Sequence, residues 1–401
     1  MYPIRKIHIL LLTLLILYSA NPYVGSHNFF LIFGSMLSLY FAYQSSHADK
    51  TRLFNAKSIY IISFFVGFEV LQGFVYEFYF FTILRILLHM IWAFSIIKIF
   101  KDNFFNYYII IIYYLILLAF PIFFILHTNF GQELFYPTLT QFFPVPHNIE
   151  GVSIPTIIIY TFDKSDFTRF PAFAWEAGAL AAFIIPALYI RIINLLSRNI
   201  KFYNDRISLL FLLAVFFTYS TTAYFVIIFI TISLVLRKKE FKYKIAIIPL
   251  LFISFTIYDN VPFLRNKVES QLAKANYSNN RFGAALKDLS QFWEKPIVGW
   301  SRKIKYKYGI EEKDVTISDL KTIIHRPNGI TNLLAAYGIV YFILYFILIY
   351  FGIHRYLEQI DLSGNVRYFS IIFIIILFIL GFSQLLFGKV FFKSFLFLSS
   401  Y

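Results

Sequence analysis

Residues 105–127 read FNYYIIIIYYLILLAFPIFFILH, and this run decides the class of fold. It contains no Lys, Arg, Asp or Glu. A helix of this length crosses the hydrocarbon core of a bilayer, which is about 30 Å thick, and it satisfies its own backbone hydrogen bonds there. Similar runs recur along the 401 residues, of which 59% are apolar and only 14% are charged. The sequence therefore predicts an all-α polytopic integral membrane bundle.

Apolar runs on both sides of this stretch bring the prediction to about eleven transmembrane helices. The predicted spans are 7–23, 28–44, 58–76, 78–100, 105–127, 173–194, 207–219, 221–236, 245–258, 329–353 and 368–388. The first span follows Arg5 and Lys6 as in a signal peptide, but its cleavage site is weak, so we expect a retained helix. The tail 389–401 is too short to span lipid, and we expect it at the outer interface.

The predicted spans divide the chain into five parts. Residues 1–127 form an N-terminal five-helix membrane part, 173–258 a four-helix membrane part and 329–401 a C-terminal membrane part. Residues 128–172 form an extracytoplasmic loop, which Pro137, Pro144, Pro146 and Pro155 predict to be irregular. Residues 259–328 form a large extracytoplasmic loop.

The positions of the basic residues that give the net charge of +15 indicate how the chain is oriented in the membrane. With the N-terminus inside, eighteen basic residues fall in inner loops and two, Lys164 and Arg169, in short outer loops, which is the positive-inside pattern. Nucleic-acid binding has no support in this distribution. The inner residues are Arg5, Lys6, Lys50, Arg52, Lys57, Lys98, Lys101, Arg191, Arg198, Lys201, Arg206, Arg237, Lys238, Lys239, Lys242, Lys244, Arg355 and Arg367.

Several kinds of site are excluded by composition and spacing. Cysteine is absent, so the chain has no disulfide, thiolate nucleophile or Cys-ligated metal. The His, Asp and Glu residues show no ligand spacing for a divalent cation. We therefore expect no metal and no cofactor.

The large loop contains one clear amphipathic helix. Asn280 is a suitable N-cap and Pro296 prevents continuation. Its predicted apolar face is Phe282, Ala285, Leu286, Leu289, Phe292 and Trp293, and its polar face is Lys287, Asp288, Ser290, Gln291 and Glu294. We expect the apolar face to lie on the membrane or to cap the bundle.

Charged residues near the predicted outer ends of helices are candidates for chemistry. Arg169 and Glu176 flank the start of the sixth span, Arg281 opens the amphipathic helix, and His325 precedes the tenth span, whose first turn Asn328 can cap. A histidine at this position suits a general base. The alternatives are that Glu176 snorkels at the interface and that Arg281 and His325 are solvated.

Glu69 and Arg85 form another candidate pair. They lie eight residues before and after the turn at Glu77, so both sit about 12 Å of helix rise from the outer end. Two charges within the membrane are expected to pair simply because each is poorly solvated there. A structural ion pair and a cavity-lining role are therefore both open.

Three stretches together resemble one family. RFPAFAWEAGAL (169–180) resembles the RF-x-G-x-F-x-EPG-x-L stretch of bacterial O-antigen and capsular polysaccharide polymerases. NRFGAALKDLSQFWEKPIVGW (280–300) resembles their R…PliGwG stretch, and HRPNGITNLLAAYGIVYFILYFILIYFG (325–352) resembles a helix shared with O-antigen ligases. The order and spacing agree over about residues 130–390. Ala177 stands where proline is usual, Ser301 where glycine is common, and 219–222 lacks a frequent arginine.

The resemblance implies a GT-C-like, metal-independent, inverting glycosyltransferase of the bacterial inner membrane whose active site faces the periplasm. Its donor would be an undecaprenyl-diphosphate-linked glycan, its acceptor a second lipid-linked repeat, and a chain-length regulator a possible partner. Arg169 and Arg281 would hold the diphosphate, and His325 or Glu176 would activate the acceptor hydroxyl. The alternatives are an O-antigen ligase, a lipid-linked oligosaccharide flippase and a structural subunit of an export complex.

Overall fold

The computed structural model describes residues 3–76, 80–142, 156–161, 168–237, 281–301, 328–360 and 364–400. These residues are almost entirely helical. The helices are α1 (Lys6–Ala20), α2 (Pro22–Ser26), α3 (Asn28–Ala48), α4 (Ala56–Tyr76), α5 (Phe80–Phe100), α6 (Phe104–Leu126), α7 (Asn129–Phe142), α8 (Ala177–Ser197), α9 (Arg206–Phe217), α10 (Thr221–Leu236), α11 (Arg281–Glu294), α12 (Gly329–Gln359), α13 (Val366–Ser383) and α14 (Val390–Ser394).

Short 3-10 helices and one two-stranded ladder complete the described structure. The 3-10 helices are Lys101–Asn103, Phe202–Asn204 and Phe395–Ser400. Strands β1 (Thr156–Ile157) and β2 (Tyr160–Thr161) pair antiparallel. The side-chain amide of Asn21 fastens this ladder to the end of α1 by donating to the carbonyl oxygens of Ile157 and Ile158, each at 3.2 Å.

Five helical segments are long and apolar enough to cross a membrane. They are Ala56–Tyr76, Phe80–Leu126, Ala177–Ser197, Gly329–Gln359 and Val366–Ser383, and the second comprises α5, a 3-10 turn and α6. Each predicted span in the described part overlaps a helix, and span 245–258 lies outside the described residues. The all-α membrane class stands, whereas a count of about eleven spans is not confirmed.

Helix α8 occupies the centre of the bundle. Nearly all of its side chains are buried, and small residues such as Ala181, Ala182 and Ala187 let α6, α9, α10 and α13 pack closely around it. On one side α3 packs along α5, and on the other α12 packs along α13. Aromatic side chains fill the remaining volume, and the Tyr108 hydroxyl donates to the carbonyl oxygen of Phe183 inside α8.

The C-terminal tail is buried inside the bundle, so the expectation that it lies at the outer interface is wrong. Residues 390–400 are buried almost throughout and pack against α5 and α12. The tail starts beside the end of α1, where Phe391 N donates to Ser19 Oγ, and it finishes beside the start of α4, where Lys57 Nζ donates to Ser399 O at 2.8 Å. The length rule assumes a lipid-facing helix, whereas this segment is surrounded by protein.

The loop predicted over 128–172 contains regular structure that its prolines did not suggest. Residues 129–142 form α7, with Pro137 inside the helix. A proline removes only its own N–H from the hydrogen-bond ladder, so a helix can continue through it at some cost. The expectation of an irregular segment is therefore wrong for this part.

Helix α11 has the predicted bounds but a different buried face. Ala284, Ala285, Asp288 and Phe292 are buried, whereas Leu286, Leu289 and Trp293 are exposed, the last at 76%. The prediction that Asp288 lies on a polar face turned away from the packed side is therefore wrong. Small residues on the buried face allow close contact with α12. The bulky apolar side chains Leu286, Leu289 and Trp293 lie on the exposed face.

Candidate functional site

The three stretches that carry the family resemblance come together at one end of the bundle. We call this the cavity end; it is where α1 ends and where α5, α8 and α12 begin. Glu176 occupies the N-cap position of α8 and accepts a hydrogen bond from Gln384 Nε2, just after α13. A Cβ on Gly178 would lie 2.7 Å from the same nitrogen, and one on Gly329 would lie 2.2 Å from the Gln384 carbonyl oxygen. Gln384 thus joins the starts of α8 and α12.

The amphipathic helix is joined to the same point. Asp288 of α11 is fully buried and its Oδ2 accepts a hydrogen bond of 3.0 Å from Thr331 Oγ1 in the first turn of α12. Asn328 caps that turn as predicted, because its Oδ1 accepts from the backbone N–H groups of Ile330 and Thr331 at 3.1 Å. These contacts fix the start of α12 from two directions.

The segment after α11 inserts at a break in α12. Gly338 has φ 74° inside this helix, and Ile339 N donates to the Pro296 carbonyl at 2.7 Å. Gly299 also has a positive φ, of 71°, and a Cβ there would meet the Ala336 carbonyl at 2.5 Å. Both positions require glycine, which explains why the PIVGW and AAYG sequences occur together.

A large cavity of about 1220 Å³ opens at this end of the bundle. Its lining comes from the end of α1, from α2, from the starts of α3 and α5, from the residue before Glu176 and from the segment that leads into α14. The basic residues of the lining are Arg85, His89 and Lys389, and its aromatic residues include Tyr18 and Trp175.

Lys389 is the most unusual of these groups. Its ammonium lies 4.4 Å from the centre of the Trp175 ring, a cation–π contact. Burial, and then the positive charge of Arg85, lower the pKa of Lys389 to about 8. The side chain is charged at neutral pH, but its cation is less stable there than in water.

The predicted site residues are placed as follows. Arg169 is half-buried, and its Nε donates to the Thr218 carbonyl at 3.0 Å, at the turn between α9 and α10. Glu176 is exposed beside Trp175.

Glu69 is buried and accepts from the Tyr337 hydroxyl at 2.6 Å. Arg85 lines the cavity. Glu69 and Arg85 do not form an ion pair with each other in the part of the chain that the structure describes. The structure therefore does not bring these two residues together.

Two predicted residues cannot be placed. His325 lies outside the described residues, and for Arg281 the structure describes the helix but not the side chain. Asn328, three residues after His325, is placed and capping, and three residues of chain reach at most about 10 Å.

Sequence reasoning missed Lys389, Gln384 and Asp288. Lys389 precedes an aromatic run in a tail whose length alone predicts the interface, and Gln384 falls within the predicted span 368–388. Asp288 was assigned to a polar face by helical period. A polar residue within an apolar segment is the signal that could have identified Gln384.

No protein-family model matches the chain, and no curated protein matches it.

Proposed function

We propose that this protein is a membrane glycosyltransferase that polymerises lipid-linked glycan repeats on the extracytoplasmic face of the bacterial inner membrane. The supporting observation is that the described parts of stretches 169–180, 280–300 and 325–352, which carry the resemblance, meet at one end of the bundle, where Trp175 of the first stretch lines a basic cavity. The donor is an undecaprenyl-diphosphate-linked glycan and the acceptor is a second lipid-linked repeat.

The proposed reaction is a single displacement at the anomeric carbon. An acceptor hydroxyl oxygen attacks this carbon, the bond to the diphosphate oxygen breaks, and the lipid diphosphate leaves with the electron pair. The anomeric configuration is inverted. Cationic side chains stabilise the leaving group without a metal, and Arg169 and Arg281 are assigned this task.

A base must take the proton from the acceptor hydroxyl. His325 is assigned this role, because the capped start of α12 would hold it at the cavity end, within about 10 Å of Asn328. Glu176 is the rival, since it is exposed and adjacent to Trp175 of the cavity lining. His325→Gln and Glu176→Gln separate the two, because glutamine hydrogen-bonds but does not accept the proton; the base is the residue whose variant loses turnover by about 10²–10⁴.

Deletion of the gene followed by a gel of surface polysaccharide tests the function. A polymerase leaves single-repeat products when it is deleted. Accumulation of unattached polymer would instead identify an O-antigen ligase, and an unchanged ladder would reject both activities. Restoration of the ladder by the wild-type gene is the control.

Topology is tested by reporter fusions. The charge bias predicts cytoplasmic readings after residues 50, 102, 200, 240 and 360, and extracytoplasmic readings after 150 and 310. A cytoplasmic reading after 310 would put the cavity end on the wrong face for an outer-leaflet donor.

A second candidate function, transport of lipid-linked oligosaccharide, is favoured by the break in α12 at Gly338, because broken helices are typical of transporters. Reconstituted vesicles distinguish the two. A transporter makes labelled lipid-linked oligosaccharide accessible from the opposite leaflet without extending it, whereas a polymerase lengthens the glycan.

A further inference from the structure

Arg85 and Lys389 differ from the other cations of the described structure in sharing one cavity without a counter-ion. Both line the cavity, and neither forms an ion pair with an Asp or Glu of the described residues. Burial is the larger cause of the lowered pKa of Lys389, and repulsion by the positive charge of Arg85 adds to it. An anion placed between them would remove this repulsion.

The cavity wall also holds an unused hydrogen-bond donor. Tyr18 is only 6% exposed, and its hydroxyl has no hydrogen-bond partner in the part of the chain that the structure describes. Buried polar atoms are nearly always hydrogen-bonded, so an unsatisfied hydroxyl in a cavity wall calls for a ligand or water. It lies beside His89, with the two ring centroids 5.9 Å apart.

The rim of the same cavity is apolar. Ile32 of α3, Phe81 of α5 and Leu385 line it and are exposed, Phe81 at 78%. A soluble anion needs no such rim. An amphiphile with a phosphate head and a hydrocarbon chain matches both the cations inside and the apolar side chains at the edge.

We propose that this cavity binds the phosphate group of a lipid, with Arg85 and Lys389 contacting phosphate oxygens and the apolar rim contacting the adjacent hydrocarbon. Arg169 contacts the turn between α9 and α10 and is not part of this lining, so the cavity is a second phosphate site. Its assignment to a second lipid-linked substrate rests on the proposed function, since a polymerase must hold two lipid-linked chains at once.

The two cations have different tasks in such a site. Arg85 can offer two parallel N–H donors to two oxygens of one phosphate, whereas Lys389 supplies a point charge with three donors. When Lys389 turns to a phosphate its ammonium leaves the Trp175 ring, so Trp175 reports binding.

Binding is measured by tryptophan fluorescence of the full chain in detergent, titrated separately with undecaprenyl phosphate, uncharged undecaprenol and inorganic pyrophosphate. We expect saturable binding of undecaprenyl phosphate, with affinity about ten-fold or more lower for each of the other two probes. Pyrophosphate binding as tight as the lipid would overturn the lipid assignment, and undecaprenol binding as tight would overturn the phosphate site.

Variants locate the site. Arg85→Gln and Lys389→Gln should each weaken lipid phosphate binding about ten-fold or more, whereas Lys389→Arg should retain it. Lys295→Gln is the matched control, because Lys295 lies 4.1 Å from the Trp300 ring but does not line the cavity. Normal binding in Lys389→Gln and Arg85→Gln, or an equal loss in Lys295→Gln, would overturn the site.

The outcome is separable from that of the proposed function, because binding is read without turnover. Loss of lipid binding in the two cavity variants combined with an unchanged polysaccharide ladder after gene deletion would leave the site standing and reject the polymerase. Normal binding in those variants, combined with single-repeat products after deletion, would reject the lipid phosphate site and leave the polymerase standing.

Discussion

The basic side chains at the two ends of the bundle have different partners. At the end opposite the cavity, Arg191 forms two hydrogen bonds with Asp205, Lys101 pairs with Asp49, and Lys98 donates to the Arg52 carbonyl at 3.0 Å. At the cavity end, Arg85 and Lys389 face a cavity and an aromatic ring. Residues of the same type thus stabilise the fold at one end and remain available to a ligand at the other.

This difference distinguishes charged side chains that stabilise the fold from charged side chains that can bind a ligand. Intramembrane and juxtamembrane charges are costly, so those serving structure alone are expected to carry their counter-ion with them. A smaller cavity of about 260 Å³ at the opposite end illustrates the point, because its Lys101 and Asp49 neutralise each other. Among the described residues, no acidic side chain neutralises Arg85 or Lys389 at the cavity end. Substitutions of these two residues should therefore change ligand affinity more than the free energy of unfolding.

The largest effect is expected at Arg169. Arg169→Ala should reduce polymer formation by about 10²-fold or more while the protein still inserts, because one donor to developing charge is lost. Arg169→Lys should recover little, since a point charge does not reproduce the guanidinium fork. The measurement is polymer length and amount on a gel, with protein level in the membrane as reference.

The matched control is Arg198→Ala, at the C-cap of α8 and therefore at the opposite end. It should make polymer normally. Full activity in Arg169→Ala would discard the assignment, and full activity in Arg169→Lys would show that bulk positive charge is sufficient.

The next largest effect concerns stability at the opposite end. Asp205→Asn should lower the free energy of unfolding by about 1.5–3 kcal/mol, because the hydrogen bonds from Arg191 lose their charged acceptor. Burial raises the pKa of Asp205, but the hydrogen bonds from Arg191 and Ser208 outweigh it, so the net pKa is lowered. The contribution is therefore present above the ordinary carboxylate pKa and is lost as pH falls through the lowered value.

Thermal unfolding in detergent at pH 7 and at pH 3 measures this effect. Asparagine retains an oxygen that can accept the N-cap hydrogen bond now made by Ser208 N, so the loss belongs to the ion pair. The gap between wild type and Asp205→Asn should be smaller at the lower pH, because part of the contribution is lost below the ordinary carboxylate pKa. A gap that stays constant with pH would assign the loss to packing.

Much of the architecture was predictable, whereas the placement of the tail and of α11 was not. Apolar runs located the helices, and Asn328 was identified as a cap because capping depends on local backbone geometry. Helical period shows that a helix has two faces, but in a membrane the bulky apolar face can meet lipid while small residues meet protein, as Asp288 and Ala284 do here.

The candidate site was predictable only where residues are close in sequence. The stretch 169–180 indicated Glu176, but its partner Gln384 is about two hundred residues away, and nothing local connects them. For Lys389 the sequence predicts the outer interface only because the tail 389–401 is too short to span lipid. Its role depends on the tail returning into the bundle, which short-range patterns do not encode.

A smaller effect is expected from pH at the cavity end. Because the pKa of Lys389 is about 8, lipid phosphate affinity should fall roughly ten-fold between pH 7 and pH 9 as the ammonium loses its proton. Lys389→Arg should remove most of this dependence, since arginine stays charged. Any pH dependence left in that variant belongs to the ligand or to Tyr18 and His89, which also face the cavity, and an unchanged dependence would exclude Lys389 as its origin.

The smallest effect is expected from Lys101, and it decides whether the comparison between the two ends holds. Lys101 pairs with Asp49 at a partly exposed site, where such a pair contributes about 0.2–1 kcal/mol. Lys101→Gln should therefore lower the unfolding midpoint slightly, with a difference that shrinks at high salt. Lipid phosphate affinity should not change, because the Lys101–Asp49 pair has no net charge to attract an anion. If Lys101→Gln weakens lipid binding as much as Lys389→Gln, the affinity depends on total positive charge and not on a counter-ion-free cavity.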